Sequence, residues 1–239
     1  RRVESALRLL QSTSTSYLLL ASLDAARAQM AIHGHQLLEI SQNHADYLRE
    51  NIKLIKGLEV YGHEEPAPPL RFGLDPCKVT ISFRNWPFTG LEIERLLRQK
   101  YNIQVEMADV FNILLLISHA TTRRECNLLL AALRSLGETL PEIRTQSPAN
   151  ILNARPPSLE LTTTPRSAFF APAETVALEE AAGRICAETI ACYPPGIPVA
   201  CPGEQITPEI VEYLSTLRSL NVRFQGCQDC TLKTVCVTA

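Results

Sequence analysis

The chain has 239 residues, of which 46% are hydrophobic and 20% are charged, and its formal net charge is −2. This composition excludes a disordered chain, and the length suits one large globular domain or two small ones. The nearly neutral charge gives no electrostatic support for binding nucleic acid or an anionic membrane, and no apolar run has the length of a transmembrane helix.

A long helix is the first predicted element. Apolar residues recur at helical spacing over residues 16–56, Gly34 is the candidate for a single break, and Gly57 suits the helix end. A short strand is predicted next, at residues 58–62. The stretch "KVTISF", residues 78–83, alternates apolar and polar side chains and predicts a second strand.

Two capping boxes predict helices further along the chain. Thr89 and Glu92 form the first, which opens a helix to about residue 100, and Thr122 and Glu125 form the second. Strand-forming residues at 105–118 lie between the two helices. This part of the chain is therefore predicted to be β-β-α-β-α, a layer of helices on a sheet.

The last third of the chain begins with a proline-rich segment. Residues 141–165 contain five prolines and predict a linker or a wrapping arm. A short helix is predicted at residues 175–188 and another from Thr207. Two strands, at residues 222–226 and 232–237, are expected to close a small sheet.

Five consecutive hydroxyl residues, Ser12 to Ser16, precede the long helix. The start of a helix carries unpaired N–H groups and partial positive charge, so it binds phosphate well, and hydroxyl groups add neutral donors. Ordinary N-capping by serine or threonine explains the same pattern without a ligand.

The stretch "YPPGIPVACPGE", residues 193–204, is predicted to be a stiff loop that ends in one carboxylate, Glu204. Proline fixes φ and glycine permits tight turns, so this loop would lose little entropy on presenting Glu204 to a ligand. A carboxylate that is partly shielded from water pairs strongly with an ammonium or guanidinium group. The alternative is a rigid surface connection with a solvated glutamate.

No complete catalytic apparatus is visible in the chain. A Schiff-base lysine needs a desolvated setting, and none of the five lysines has one in the sequence. The eight scattered cysteines favour a reduced, cytoplasmic protein. Cys227 and Cys230 form a C-x-x-C motif, but a structural zinc site needs a second pair and only Cys236 lies nearby, so we interpret them as apolar fillers and a turn.

Four stretches together resemble the Orn/Lys/Arg decarboxylases, which are pyridoxal-phosphate enzymes of the aspartate-aminotransferase fold. The stretches are "LQSTSTSYLLLASLDAARAQM", "DPCKVTISFRNWPFTGLEIERLLRQKYNIQVEMADVFNILLLI", "PRSAFFAPAETVALEEAAGRICAETIACYPPGIPVACPGEQIT" and "FQGCQDCTLKTVCV". The PPGIP…PGE motif with its upstream AGRI is specific to this family. The implied fold class is α/β, with α+β character in the C-terminal part.

The resemblance implies a division of the chain into parts. Residues 1–57 would be the end of the fold-type-I large domain with the interdomain helix. Residues 58–140 would be the small α/β domain, 141–159 a linker, and 160–239 the decarboxylase C-terminal domain. The Schiff-base lysine and the aspartate that pairs with the pyridine nitrogen would lie in a part of the large domain that this sequence lacks. No catalytic residue is therefore expected in this chain, which alone would be inactive.

The resemblance also implies roles for individual residues. Ser12, Thr13 and Ser14 would contact the phosphate of pyridoxal 5'-phosphate bound to the neighbouring subunit of a homodimer or higher homo-oligomer; the family usually has proline where Thr15 stands. Glu204 would recognise the distal amino or guanidino group of the substrate. The family often has prolines and an arginine at the positions of the three C-terminal cysteines, and no metal is expected.

The implied reaction is α-decarboxylation of a basic amino acid, with arginine first and lysine or ornithine next, giving agmatine, cadaverine or putrescine for polyamine metabolism. One alternative is a catalytically incomplete, decarboxylase-like remnant that binds or regulates a true decarboxylase. Another is an aminotransferase-fold enzyme of other specificity, which should not carry the PGE loop. Neither nucleic acid nor a membrane is an expected partner.

Overall fold

The computed structural model describes residue 3 and residues 15–61, 74–139 and 157–239 of the chain. Its elements form a mixed α/β structure, as the sequence predicts, with two hydrophobic cores. None of the helices in these ranges combines the length and the apolar character needed to cross a membrane.

The first helix, α1 (Tyr17–Ile52), is continuous over 36 residues. The predicted break at Gly34 was wrong: a glycine costs a helix interior only about 1 kcal/mol, and the helix continues through it. The second half of α1 packs inward through Ala45 and Leu48, whereas apolar residues of the first half, such as Leu18, are exposed.

A buried arginine fixes the end of α1 against the first sheet. Arg49 is 4% exposed, and its Nη2 donates to the carbonyl oxygens of Pro76 at 2.6 Å and Lys78 at 3.1 Å. Its Nη1 also pairs with Asp46 at 3.2 Å. The guanidinium therefore donates hydrogen bonds to two backbone oxygens near the core. Without Arg49 these oxygens would lack these donors.

The first sheet is antiparallel and has the order β1-β2-β4-β3. Its strands are β1 (Glu59–Val60), β2 (Lys78–Ser82), β3 (Met107–Ala108) and β4 (Asn112–Leu116). The single strand predicted over residues 105–118 is thus two strands. They separate because the Asp109 carboxylate accepts backbone N–H bonds from Phe111 and Asn112, both at 2.7 Å, which closes a turn.

Two helices accompany this sheet, α2 (Gly90–Tyr101) and α3 (Arg123–Thr139), and both predicted capping boxes are confirmed. Glu92 N–H donates to Thr89 Oγ1 at 3.1 Å, and Thr89 N–H donates back to the Glu92 carboxylate at 2.8 Å. The box at Thr122 has the same two bonds. The first core lies where α1, these helices and the sheet meet.

The remaining elements build a second core. They are α4 (Pro165–Phe170), β5 (Ala173–Ala177), a 3₁₀ turn (Leu178–Glu180), β6 (Ile190–Tyr193), β7 (Ile197–Ala200), α5 (Pro208–Ser219), β8 (Arg223–Gln225) and β9 (Thr234–Thr238). All the strand pairs are antiparallel, in one sheet of order β5-β9 and another of order β7-β6-β8.

Two predictions for this part were wrong. Residues 175–188 are not a helix, because Thr175 and Val176 pair with β9, and long-range strand pairing overrides the local spacing. The strands near residues 224 and 236 do not form one sheet, because β8 pairs with β6 whereas β9 pairs with β5.

The turn between β3 and β4 joins the two cores. Val110 and Phe111, from this turn, are buried in the second core, while Ala108 and Ile113 on either side belong to the first. Gly90 permits the close approach of α2 to the turn: a Cβ at this position would lie 2.2 Å from the Asn112 carbonyl oxygen.

Candidate functional site

Glu204, the predicted substrate-binding residue, lies in a turn directly after β7. Its side chain is half-buried, and its Oε2 accepts a hydrogen bond from the backbone N–H of Cys201 at 2.7 Å. Its carbonyl oxygen accepts from the N–H of Cys186 at 2.8 Å. Within the described ranges Oε1 has no hydrogen-bond partner, so this carboxylate keeps an acceptor for a further donor.

Gly203 fixes the turn that carries Glu204. Its φ is +93°, and a Cβ at this position would lie 2.4 Å from the Thr163 carbonyl oxygen. Its N–H donates to Cys186 O at 2.9 Å, and its carbonyl oxygen accepts from Thr162 N–H at 2.9 Å. Glycine is required here because the backbone is left-handed and two other segments approach it closely.

The prediction of one loop over residues 193–204 was wrong, because the stretch is the β6–β7 hairpin followed by a separate turn. Pro194 and Pro195 lie in the tight connection between β6 and β7, and Pro198 is within β7, so a strand separates them from Glu204. The connection instead lines a cleft of about 370 Å³ together with Phe111 of the β3–β4 turn. Pro202 is the proline that lies in the Glu204 turn itself.

Thiols surround the base of this turn. Burial, and secondarily the Glu204 carboxylate, raise the pKa of Cys201. Burial raises the pKa of Cys186 to about 12, with smaller contributions from Glu188 and Glu204. Both thiols are therefore neutral at pH 7 and act as packing groups.

The predicted phosphate-binding residues, Ser12, Thr13 and Ser14, lie outside the described residues. The helix that follows them, α1, begins within the described residues. Ser16, at the N-cap of α1, makes no side-chain capping bond, and the first turn of α1 contains no acidic residue. No side chain of the described residues therefore accepts from the N–H groups in the first turn of α1. Such N–H groups suit the phosphate end of pyridoxal phosphate.

No lysine in the described part of the chain is suited to bind the aldehyde of that cofactor as a Schiff base. All five lysines lie in the described ranges and all are exposed: Lys53, Lys56, Lys78, Lys100 and Lys233. None has the buried, desolvated setting that a Schiff-base lysine needs. The residues present thus fit the phosphate of the cofactor and not its aldehyde.

Sequence reasoning missed one buried carboxylate, Glu188, which is 8% exposed. Its Oε2 accepts from the N–H of Gln228 and its Oε1 from the N–H of Cys236, both at 2.7 Å. Glu188 therefore ties together three segments of the second core. No local motif marks it, since both donors are backbone groups that lie 40 and 48 residues away.

The C-terminal cysteines lie around this carboxylate. Cys227 and Cys236 are buried and Cys230 is exposed. Among the described residues, no group of three or more histidine, cysteine or acidic side chains has an arrangement suited to a metal ion.

Comparison with known proteins gives two family matches. The family described as "Orn/Lys/Arg decarboxylase, major domain" matches residues 1–125, and "Orn/Lys/Arg decarboxylase, C-terminal domain" matches residues 154–231. The chain is 40% identical to an arginine decarboxylase of Halalkalibacterium halodurans over 98% of its length, and 38% identical to one of Bacillus subtilis over 97%. These alignments cover 48% and 47% of the relatives, so the chain spans about half the length of the curated relatives it matches.

Solved structures support the same fold. The constitutive lysine decarboxylase of Escherichia coli superposes with a TM-score of 0.72 at 22% identity, covering 98% of this chain and 45% of that one. The lysine decarboxylase of Francisella novicida superposes with a TM-score of 0.73 at 20% identity, over 98% and 44% of the two chains. At such identities the likeness concerns the fold alone.

Proposed function

Because the chain belongs to the Orn/Lys/Arg decarboxylase family, we propose that it is the C-terminal portion of a pyridoxal-phosphate-dependent decarboxylase that acts on arginine. The observation that carries this proposal is the alignment of nearly the whole chain with arginine decarboxylases. Lysine and ornithine are the next candidate substrates. The product, agmatine in the case of arginine, would enter polyamine metabolism in the cytoplasm.

The proposed role of Glu204 is to bind the cationic end of the substrate. The side chain is half-buried, one oxygen already has a backbone donor, and the second is without a partner in the described part of the chain. A guanidinium presents several N–H donors to such an oxygen, and partial shielding from water strengthens the ion pair. The turn around Gly203 would keep the carboxylate in place before the substrate arrives.

The proposed role of Ser12, Thr13 and Ser14 is to donate hydrogen bonds to the cofactor phosphate, beside the first turn of α1. Bound pyridoxal phosphate supplies the electron sink that allows the α-carboxylate to leave as carbon dioxide. This chain would hold the phosphate and the distal end of the substrate, and the lysine would come from residues outside this sequence.

The proposed assembly is a homodimer or higher homo-oligomer. Large apolar side chains on the first half of α1 are exposed in the described chain: Tyr17 at 86%, Leu18 at 84%, Leu23 at 66% and Ile32 at 74%. An exposed apolar face of this extent is typical of a surface that another part of a protein covers. The missing half of the enzyme and a second copy are the proposed occupants.

The experiment that tests the proposal measures carbon dioxide release by the complete gene product and by the 239-residue chain. With pyridoxal phosphate and arginine, we expect activity from the complete product and none from the chain alone. Lysine or ornithine turning over faster than arginine would overturn the substrate assignment. A gene that encodes no upstream cofactor domain would favour the regulatory remnant instead.

Glu204→Gln in the complete enzyme tests the site residue. The amide oxygen can still accept from Cys201, so the variant removes the charge and keeps the turn. Loss of a charged hydrogen-bond partner costs on the order of 2–3 kcal/mol, which raises KM for arginine by roughly 30- to 150-fold. An unchanged KM for every basic amino acid would remove Glu204 from the site.

A further inference from the structure

The loop between β8 and β9 carries a C-x-x-C motif that the proposed decarboxylation does not use. Cys227 and Cys230 differ sharply in access: Cys227 is 8% exposed, whereas Cys230 is exposed to solvent. The Sγ of Cys230 lies 3.7 Å from the Cys227 carbonyl oxygen. One accessible thiol and one shielded thiol thus lie on the same short turn.

The two thiols also interact with each other. Burial raises the pKa of Cys227 to about 11, and the nearby Cys230 is the next cause. The geometric contact is that of the Cys230 Sγ with the Cys227 carbonyl oxygen, which brings the exposed thiol to the backbone of its partner cysteine. The buried member is protonated at pH 7, so the exposed Cys230 is the thiol that an external reagent meets first.

The backbone around the pair is fixed on both sides. Glu188 accepts the Gln228 N–H at 2.7 Å, inside the motif. The Asp229 carboxylate accepts from the N–H groups of Thr231, Lys233 and Thr234, and from the Thr231 hydroxyl at 2.6 Å. The bonds from Thr231 and Thr234, of which that from the Thr231 side chain has the largest effect, lower the pKa of Asp229. Asp229 therefore stays ionised and keeps these bonds at pH 7. The backbone that carries the two thiols is therefore fixed by hydrogen bonds from other residues of the loop and from Glu188.

We propose that Cys227 and Cys230 are a covalent modification site, at which a low-molecular-weight disulfide converts the two thiols into an intramolecular disulfide. The proposal does not depend on decarboxylation, because every residue it uses lies in the loop between β8 and β9 or contacts it.

The reaction balances as two thiol–disulfide exchanges. The Cys230 thiolate attacks one sulfur of the reagent; the reagent's S–S bond breaks, and one thiolate leaves and takes up a proton. Cys227 then gives up its proton and attacks the Cys230 sulfur, and the second reagent thiol leaves. The two cysteines are oxidised, and one molecule of disulfide is reduced to two thiols.

Trypsin isolates the site in one peptide. Cleavage after Arg223 and Lys233 releases residues 224–233, which contain these two cysteines and no other. Cys77 provides a matched control, because its tryptic peptide, residues 72–78, contains a single cysteine that can retain only a mixed disulfide. The folded 239-residue chain is treated with oxidised glutathione, alkylated to block exchange, digested and analysed by mass spectrometry.

We expect the peptide of residues 224–233 to lose two hydrogen atoms and to retain no glutathione. Reduction with dithiothreitol should restore the two hydrogen atoms. In Cys227→Ser, the same peptide should keep one glutathione on Cys230. In Cys230→Ser, it should stay unmodified while the Cys77 peptide reacts as in the wild-type chain.

Three results would each overturn the proposal. The first is a stable glutathione adduct on the wild-type peptide without the internal disulfide. The second is a cross-link from this peptide to Cys236, whose backbone N–H donates to Glu188. The third is an unreacted wild-type peptide in a sample whose Cys77 has reacted. All three use the wild-type chain, so they do not depend on the folding of a variant.

Discussion

Glu188→Gln is the substitution that tests how the second core is held together. Its carboxylate is buried and accepts one backbone N–H on each oxygen, from Gln228 and from Cys236, both at 2.7 Å. Glutamine offers one acceptor oxygen and places an NH₂ group in the other position. One buried N–H would then face a donor instead of an acceptor.

The expected loss follows from these two bonds. A hydrogen bond to a charged acceptor contributes about 1.5–3 kcal/mol, and a buried donor left without a partner costs about 1–3 kcal/mol. Glu188→Gln weakens one bond by removing the charge and abolishes the other. We therefore expect the free energy of unfolding to fall by about 3 kcal/mol.

Urea unfolding of the 239-residue chain, with the free energy taken from the midpoint and slope, measures this loss. Hydrogen exchange at the amides of Gln228 and Cys236 should accelerate at the same time. Glu180→Gln is the control: Glu180 is exposed, and a surface substitution of this kind changes stability by about 0.5 kcal/mol or less. If the two variants were equally stable, the bonds of Glu188 would contribute nothing net, and our account of this core would be refuted.

Gly90→Ala should destabilise the chain by about 2–3 kcal/mol in thermal unfolding, because its Cβ would lie 2.2 Å from a carbonyl oxygen of the β3–β4 turn. Gly34→Ala, where the nearest atom is 3.5 Å away, should not; a loss from both would contradict the steric argument. The folded pKa of Asp229 is lowered, so its contribution to stability is present above the ordinary aspartate value near 4 and disappears as the pH falls towards the lower folded value. Asp229→Asn should thus lower the urea midpoint at pH 7 and flatten its decline in acid, whereas parallel profiles would exclude this role. Mixing Ser14→Ala and Glu204→Gln subunits of the complete enzyme should give an activity at low arginine above that of either variant alone, and a mixture no more active than its components would place both residues in one subunit.

Local signals in the sequence predicted the helices well. The capping boxes at Thr89 and Thr122 each depend on side chains three residues apart, so a single stretch of sequence contains the whole interaction. The region around Thr175 was mispredicted because its partner strand, β9, lies about sixty residues later in the chain. Asp109 also ends a strand, because its carboxylate accepts from the backbone of its own neighbours. This turn was not predicted because Asp109 lies within an apolar run that favours one continuous strand.

The candidate site was predictable only in part, for the same reason. Glu204 could be singled out because a glycine and a proline precede it, but the hairpin prolines were wrongly given the role that Gly203 has. The close approach of Thr163 to Gly203 is a contact between segments forty residues apart, and it cannot be read from local composition. Glu188 had no signal at all, since its partners are backbone N–H groups, which every residue but proline carries.

The expectation of two subunits at each site comes from the family resemblance, and the exposed first half of α1 is consistent with it. From Tyr17 to Gly34 the helix runs roughly 25 Å at 1.5 Å per residue, and almost all of this stretch is exposed. Ser14 precedes this exposed stretch in the sequence, whereas Glu204 is half-buried beside the second core. A ligand the size of an amino acid joined to a cofactor must meet both residues if both have their proposed roles. A helix that extends away from its own cores reaches another subunit more readily than its own Glu204. In a mixed dimer, one site would then combine both wild-type residues and the other site both substitutions, which is why mixing should raise the activity at low arginine.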